Sequence, residues 1–112
     1  MEALAEKPGE RLRIVREALG FTQKEFSDAL GLKSYQIRNI EYGRHRVTEE
    51  VFAAFGKSMP ELLPWIAFGG TIPVEQLRQS KGELSKLLVV RINIGLTPNA
   101  AFLEPNNGDQ QT

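Results

Sequence analysis

Thr22-Gln23-Lys24-Glu25-Phe26-Ser27-Asp28-Ala29-Leu30-Gly31-Leu32-Lys33-Ser34-Tyr35-Gln36-Ile37-Arg38-Asn39-Ile40-Glu41-Tyr42-Gly43 holds two short amphipathic segments joined by Leu30-Gly31-Leu32-Lys33. Thr22 to Glu25 form a capping box, in which the Thr22 hydroxyl accepts the Glu25 backbone N–H and the Glu25 carboxylate reaches back. The helix started there turns Phe26, Ala29 and Leu30 inward and ends at Gly31, a residue suited to a left-handed cap. Ser34 caps the next helix, which buries Ile37 and Ile40 and closes at Gly43. Ser27 is small where the second helix crosses the first, and Gly31 permits the sharp turn between them. Because successive helical residues are rotated by about 100°, Ser34, Tyr35, Arg38, Asn39 and Tyr42 lie away from the isoleucine side, with Gln36 near the boundary.

Outward from this pair the pattern stays helical. Pro8-Gly9-Glu10 opens a first helix to Leu19, with Leu12, Val15 and Leu19 inward and Arg11, Arg13 and Glu17 outside. Thr48-Glu49-Glu50 starts a fourth helix carrying Val51, Phe52 and Phe55, its two acids favourably placed in the first turn. Ser58-Met59-Pro60-Glu61 repeats the capping-box logic for a fifth, with Leu62, Leu63, Trp65 and Ile66 packing. Trp65, Phe52, Phe55 and Phe68 read as core residues rather than an aromatic binding box. After Gly69-Gly70, Thr71-Ile72-Pro73 starts a segment with Val74 and Leu77, interrupted by Gly82. Leu84, Leu87, Leu88 and Ile92 fit a helix, while Leu88, Val90, Ile92 and Ile94 alternate as a strand does. The expected fold is all-α: a five-helix bundle over 8–68, an extension over 71–96 with helix favoured and strand the alternative, and a polar tail over 97–112, disordered at least from Asn106 to Thr112.

The chain has 112 residues, enough for one small domain, with 41% hydrophobic and 25% charged residues, as in ordinary globular chains. No apolar run reaches the roughly 18 residues of a membrane span, and the chain does not open on a basic start followed by an apolar core, so membrane insertion and secretion are not expected. Cysteine is absent and His45 is the only histidine, which removes disulfides, thiolate catalysis and sulfur-ligated zinc. No metal, cofactor or enzymatic activity is expected. Fourteen basic residues balance fourteen acidic ones, so any attraction to nucleic acid must be local. It is local between Lys33 and Arg46, where Lys33, Arg38, Arg44 and Arg46 face only Glu41, four cations against one anion. His45, between two arginines, is expected to be exposed or to touch a phosphate rather than to sense pH.

Two capped helices joined at a glycine turn, with one face of the second anchored and the other free, have the form of a helix-turn-helix. Residues 9–68 resemble the Cro and lambda-repressor-like (XRE-type) family of bacterial and phage regulators. The resemblance rests on Arg11-Leu12-Arg13 to Arg16, on Leu19-Gly20-Phe21-Thr22-Gln23-Lys24-Glu25-Phe26, on Leu30-Gly31-Leu32, and on Ile37 to Gly43. It implies double-stranded DNA as partner and a bacterial cytoplasmic, nucleoid-associated location. By position it assigns Gln23 to a phosphate and Lys33, Ser34, Tyr35, Arg38 and Asn39 to base edges. It also assigns Arg44 and Arg46 to the DNA backbone, and Arg16 with Glu41 to a structural salt bridge. Tyr42 departs from the small polar residue common in the family; its hydroxyl can reach a phosphate or its ring can cover the loop. Chemically, Arg38 suits guanine O6 and N7, Asn39 suits adenine N6 and N7, and Tyr35 suits a thymine methyl.

One such domain buries little DNA, and specific sites are usually read by two-fold dimers. The extension is the natural dimerisation device, through Leu77, Leu84, Leu87, Leu88 and Ile92. The expected function is a sequence-specific transcriptional regulator, a repressor occupying a palindromic operator as a homodimer. The alternative is an interaction module on the same fold, an antitoxin or anti-activator that binds a protein partner.

Overall fold

The computed structural model describes residues 7–97, and the expected tail over 97–112 lies outside the described residues from 98 onward. Seven α-helices are present among the described residues: α1 Pro8–Leu19, α2 Gln23–Leu30, α3 Ser34–Glu41, α4 Glu49–Ser58, α5 Leu63–Phe68, α6 Val74–Gln79 and α7 Glu83–Asn93. A 3-10 turn, Pro60–Leu62, precedes α5.

Local chemistry sets most of the boundaries. Pro8 occupies the first turn of α1, and Glu10 accepts the Lys7 backbone N–H. At α2 the reciprocal box forms, with Glu25 N–H on Thr22 Oγ1 at 3.1 Å and Thr22 N–H on Glu25 Oε1 at 2.9 Å. Gly31 ends α2 at φ 74°, the left-handed region where a side chain would be strained. Ser34, expected as a cap, is instead the first residue of α3. The cap position is Lys33, whose backbone N–H donates to Gln36 Oε1 at 2.9 Å, so the side chain of the third helical residue reaches back to hold the residue before the helix. The fifth helix also starts later than expected: Ser58 closes α4, and the chain passes through the 3-10 turn before α5.

The core runs unbroken from α1 to α7. Leu12, Val15, Phe26, Ile37, Val51, Phe55, Leu62 and Ile66 are buried with Ile72, Val74, Leu77 and Leu88 in one cluster. Residues 71–96 therefore pack on α1–α5, and α7 lies against α1, α4 and α6. The strand alternative for 84–94 is replaced by α7, in which Ser85 and Leu88 are fully buried and Ser85 Oγ donates to Glu61. Two expected core residues face solvent: Ala29 is exposed on α2, and Phe68 is 86% exposed at the end of α5.

Arg11, expected outside, is 4% exposed. Its Nε donates to the Ile66 carbonyl at 2.9 Å and Nη2 to that of Ala67 at 3.3 Å, satisfying acceptors at the end of α5. Burial pushes its pKa below the ordinary arginine value, with Glu10 acting in the opposite sense. Arg91 on α7 does the same for α1, donating to the Ala18 carbonyl while its guanidinium covers Gly20. Gly20 has φ 78°, a left-handed conformation that favours glycine, and a Cβ there would meet Arg91 Cζ at 2.8 Å and push the guanidinium aside.

If α7 is part of this core, Leu88→Ala leaves a cavity and costs about 2–5 kcal/mol. Urea denaturation is expected to show a lower midpoint with an unchanged slope.

Candidate nucleic-acid interface

The buried face of α3 is set by Ile37 and Ile40, which are 0% and 4% exposed. Ser27 is fully buried at the crossing of α2 and α3, and its hydroxyl folds back onto the Gln23 carbonyl at 2.7 Å. Anchored in this way, α3 leaves Lys33, Tyr35 and Arg38 exposed, with Ser34, Gln36 and Asn39 half-buried.

Beneath this face sits a carboxylate. The Glu41 side chain is 2% exposed and takes a forked pair from Arg16, Nε to Oε2 at 2.6 Å and Nη2 to Oε1 at 3.0 Å. Gln23 Nε2 adds a third donor to Oε1 at 3.0 Å. Arg16 Nη1 also donates to the Phe21 carbonyl at 2.7 Å, in the turn that leads into α2. One anion thus joins α1, the start of α2 and the end of α3. Gln23, assigned by resemblance to a phosphate, has one amide hydrogen on Glu41 and keeps another for a ligand. A turn earlier on α1, Arg13 is held above its ordinary pKa first by its hydrogen bond to Glu17, with weaker help from Glu41 and Tyr42.

The loop after α3 folds onto Asn39, whose carbonyl accepts the backbone N–H groups of Arg44 at 2.9 Å and His45 at 3.3 Å. The Arg44 side chain lies over the Tyr42 ring, 5.4 Å from its centroid, and its Nη1 donates to Asn39 Oδ1 at 3.4 Å. The Tyr42 ring thus carries Arg44 at the surface. A groove of about 780 Å³ separates this loop from the start of α1, with Lys7, Arg44, His45 and Arg46 on its walls. Glu10 also lines this groove at the start of α1, but within the 33–46 segment the one acid, Glu41, is buried and paired with Arg16, which leaves Lys33, Arg38, Arg44 and Arg46 as the exposed charges of that segment.

Two further residues shape the surface. Gln36 Oε1 accepts the Lys33 N–H, and Gln36 Nε2 donates to Glu50 Oε1 on α4 at 3.0 Å. Sequence periodicity put Gln36 at the edge of the face but carried no sign of its partner fourteen residues away. Of the residues expected at a dimer interface, Leu77 and Leu88 are fully buried in the chain's own core, and Leu84, Leu87 and Ile92 are partly buried against it. The apolar side chains of α7 and its exit that do face solvent are Val90, Ile94 and Leu96, at 52%, 62% and 52% exposure.

A helix-turn-helix domain family model, of the XRE type, matches residues 9–58, a little under half of the chain. The match takes in α1 to α4 and every residue discussed on α3 and its following loop. No curated protein and no solved structure matches the chain.

Truncating Glu41 to alanine strands Arg16 and releases Gln23, and breaking one partner of such a buried pair costs about 3–5 kcal/mol. In a double-mutant cycle with Arg16→Ala, the double variant is expected to lose clearly less than the sum of the two single losses, as read by chemical denaturation.

Proposed function

From residues 9–58, which are a helix-turn-helix domain of the XRE type, we propose that the protein is a sequence-specific DNA-binding regulator. The observation that carries this reading is the pairing of a donor-rich outer face on α3 with a cationic loop immediately after it, while the acid between them is buried. Lys33, Ser34, Tyr35, Arg38 and Asn39 face the major groove and read base edges. Gln23, Tyr42, Arg44 and Arg46 contact phosphates and set the register. The positive end of α2 assists Gln23 at its phosphate.

Regulation on this reading is repression by occupancy in the bacterial cytoplasm, with two copies on a palindromic operator. Two recognition helices about 34 Å apart reach successive major grooves on one side of the duplex. The surface of α7 around Val90, Ile94 and Leu96 supplies exposed apolar area for a second copy, and the buried Leu77 and Leu88 support that helix from beneath. The same apolar area favours the second reading, a protein partner in place of a second copy, as in an antitoxin or anti-activator.

Selection from a random duplex library at about 0.15 M salt is expected to enrich a two-fold related site with half-site centres about 10 base pairs apart. The Arg38→Ala/Asn39→Ala protein is expected to enrich nothing while remaining folded. A well-folded wild-type protein that enriches no sequence would transfer the assignment to the protein-partner reading. Binding measured against salt gives an independent check on the loop, since Arg44→Ala should lower the log–log slope by about 1.

A further inference from the structure

The two ends of α3 are held by different means. At the C-terminal end Glu41 binds Arg16 of α1 and Gln23 of α2, and between the ends Ile37 and Ile40 are buried in the core. The N-terminal turn meets α4 across a cleft of about 200 Å³, to which α3 contributes Tyr35, Gln36 and Ile40, and the chain entering α4 contributes Arg46, Thr48 and Val51. Packing is incomplete there, and the Gln36 amide supplies the link. Its Oε1 accepts the Lys33 N–H at 2.9 Å, and its Nε2 donates to Glu50 Oε1 at 3.0 Å. Glu50 sits in the first turn of α4, which is itself fixed by the Val51 N–H on Thr48 Oγ1 at 3.2 Å. One side chain thus ties the residue before α3 to the first turn of α4, and its bond to the carboxylate is charge-assisted.

The residues proposed to touch DNA lie on both sides of this link. Lys33, Ser34 and Tyr35 belong to the turn that Gln36 holds, and Arg46 stands two residues before the Thr48 cap. Base readout and phosphate contact have to be satisfied in a single docked position. We propose that Gln36 and Glu50 form a specificity-determining strut, which sets the spacing between the base-reading turn of α3 and the phosphate-binding loop. Glu50 acts through Gln36 and is a positioning residue. Its charge repels phosphates of every sequence alike, so the bond and the charge have separable effects on binding. This rests on the DNA-binding reading above and deepens it by naming what keeps the reading face in register.

The test uses the full chain, the duplex it selects and a random duplex of equal length. Selectivity is the dissociation constant for the random duplex divided by that for the selected one, a ratio in which a uniform charge effect cancels. Glu50→Ala and Glu50→Gln remove the same charge and leave the Lys33–Gln36 bond in place, but only glutamine keeps an acceptor for Gln36 Nε2. Glu50 is exposed, so both variants are expected to fold, which circular dichroism checks. Glu50→Ala is expected to lower selectivity about threefold to tenfold, the worth of one hydrogen bond, with Glu50→Gln within about twofold of wild type. Gln36→Ala is expected to lower it by a similar factor, and adding Glu50→Ala to that variant is expected to lower it no further. Equal selectivity of Glu50→Ala and Glu50→Gln overturns the strut while leaving sequence-specific binding in place. A wild-type protein that distinguishes no duplex from random DNA overturns both, so the two failures are separable.

Discussion

The Glu41 carboxylate, buried under the start of α2 and gripped by Arg16 and Gln23, fixes the geometry on which the rest of the surface depends. An ionised carboxylate in a protein interior is tolerated only when its oxygens are fully engaged, and three N–H donors meet that requirement here. Because the donors come from α1 and the first residue of α2, while the acceptor ends α3, the two helices of the motif cannot rotate independently. The same interaction removes the acid of the 33–46 segment from the outer surface. Stability and electrostatic polarity therefore come from one group.

Arginine solves a related problem twice more. In a domain this small the ends of α1 and α5 lie close to packed structure, where carbonyls without intrahelical partners are costly. Arg11 reaches the end of α5 and Arg91 the end of α1, each from a helix distant in sequence. The Arg91 bond, with Leu77 and Leu88 in the shared core, ties residues 71–96 to the motif. The apolar residues that α7 and its exit leave outside this packing are Val90, Ile94 and Leu96.

Local signals in the sequence were sufficient for the existence and order of α1 to α4, though not for every cap and inward residue. Thr22 with Glu25, Pro8, Gly20, Gly31 and Thr48 each act within a few residues, so their effect can be read without knowing the fold. The isoleucine pair on α3 likewise separates a buried side from an open one by periodicity alone. What could not be read locally depends on partners far along the chain. Arg11 looks like a surface cation until α5 is placed beside it, and Gln36 looks like a boundary residue until Glu50 approaches. Leu77 and Leu88 carry the pattern of an interface and of a core equally, and only the position of α7 on α1 decides between them. Phe68 shows the reverse case, an aromatic residue left in solvent because α5 ends there at Gly69. Ser34 lies one residue inside α3, because the helix starts directly after Lys33, whose N–H is held by the Gln36 side chain.

If the motif reads DNA as proposed, its contacts fall on named residues of α2, α3 and the following loop, so the most direct measurement is a map of that surface in solution. Backbone amide shifts of isotope-labelled protein, followed during titration with a specific duplex, locate the contact without altering any side chain. The account predicts that the perturbed amides cluster at residues 22–24 and 33–46, with the buried face of α3 and the body of α5 little changed. Perturbation absent from both stretches, with the protein folded and duplex in excess, would contradict it.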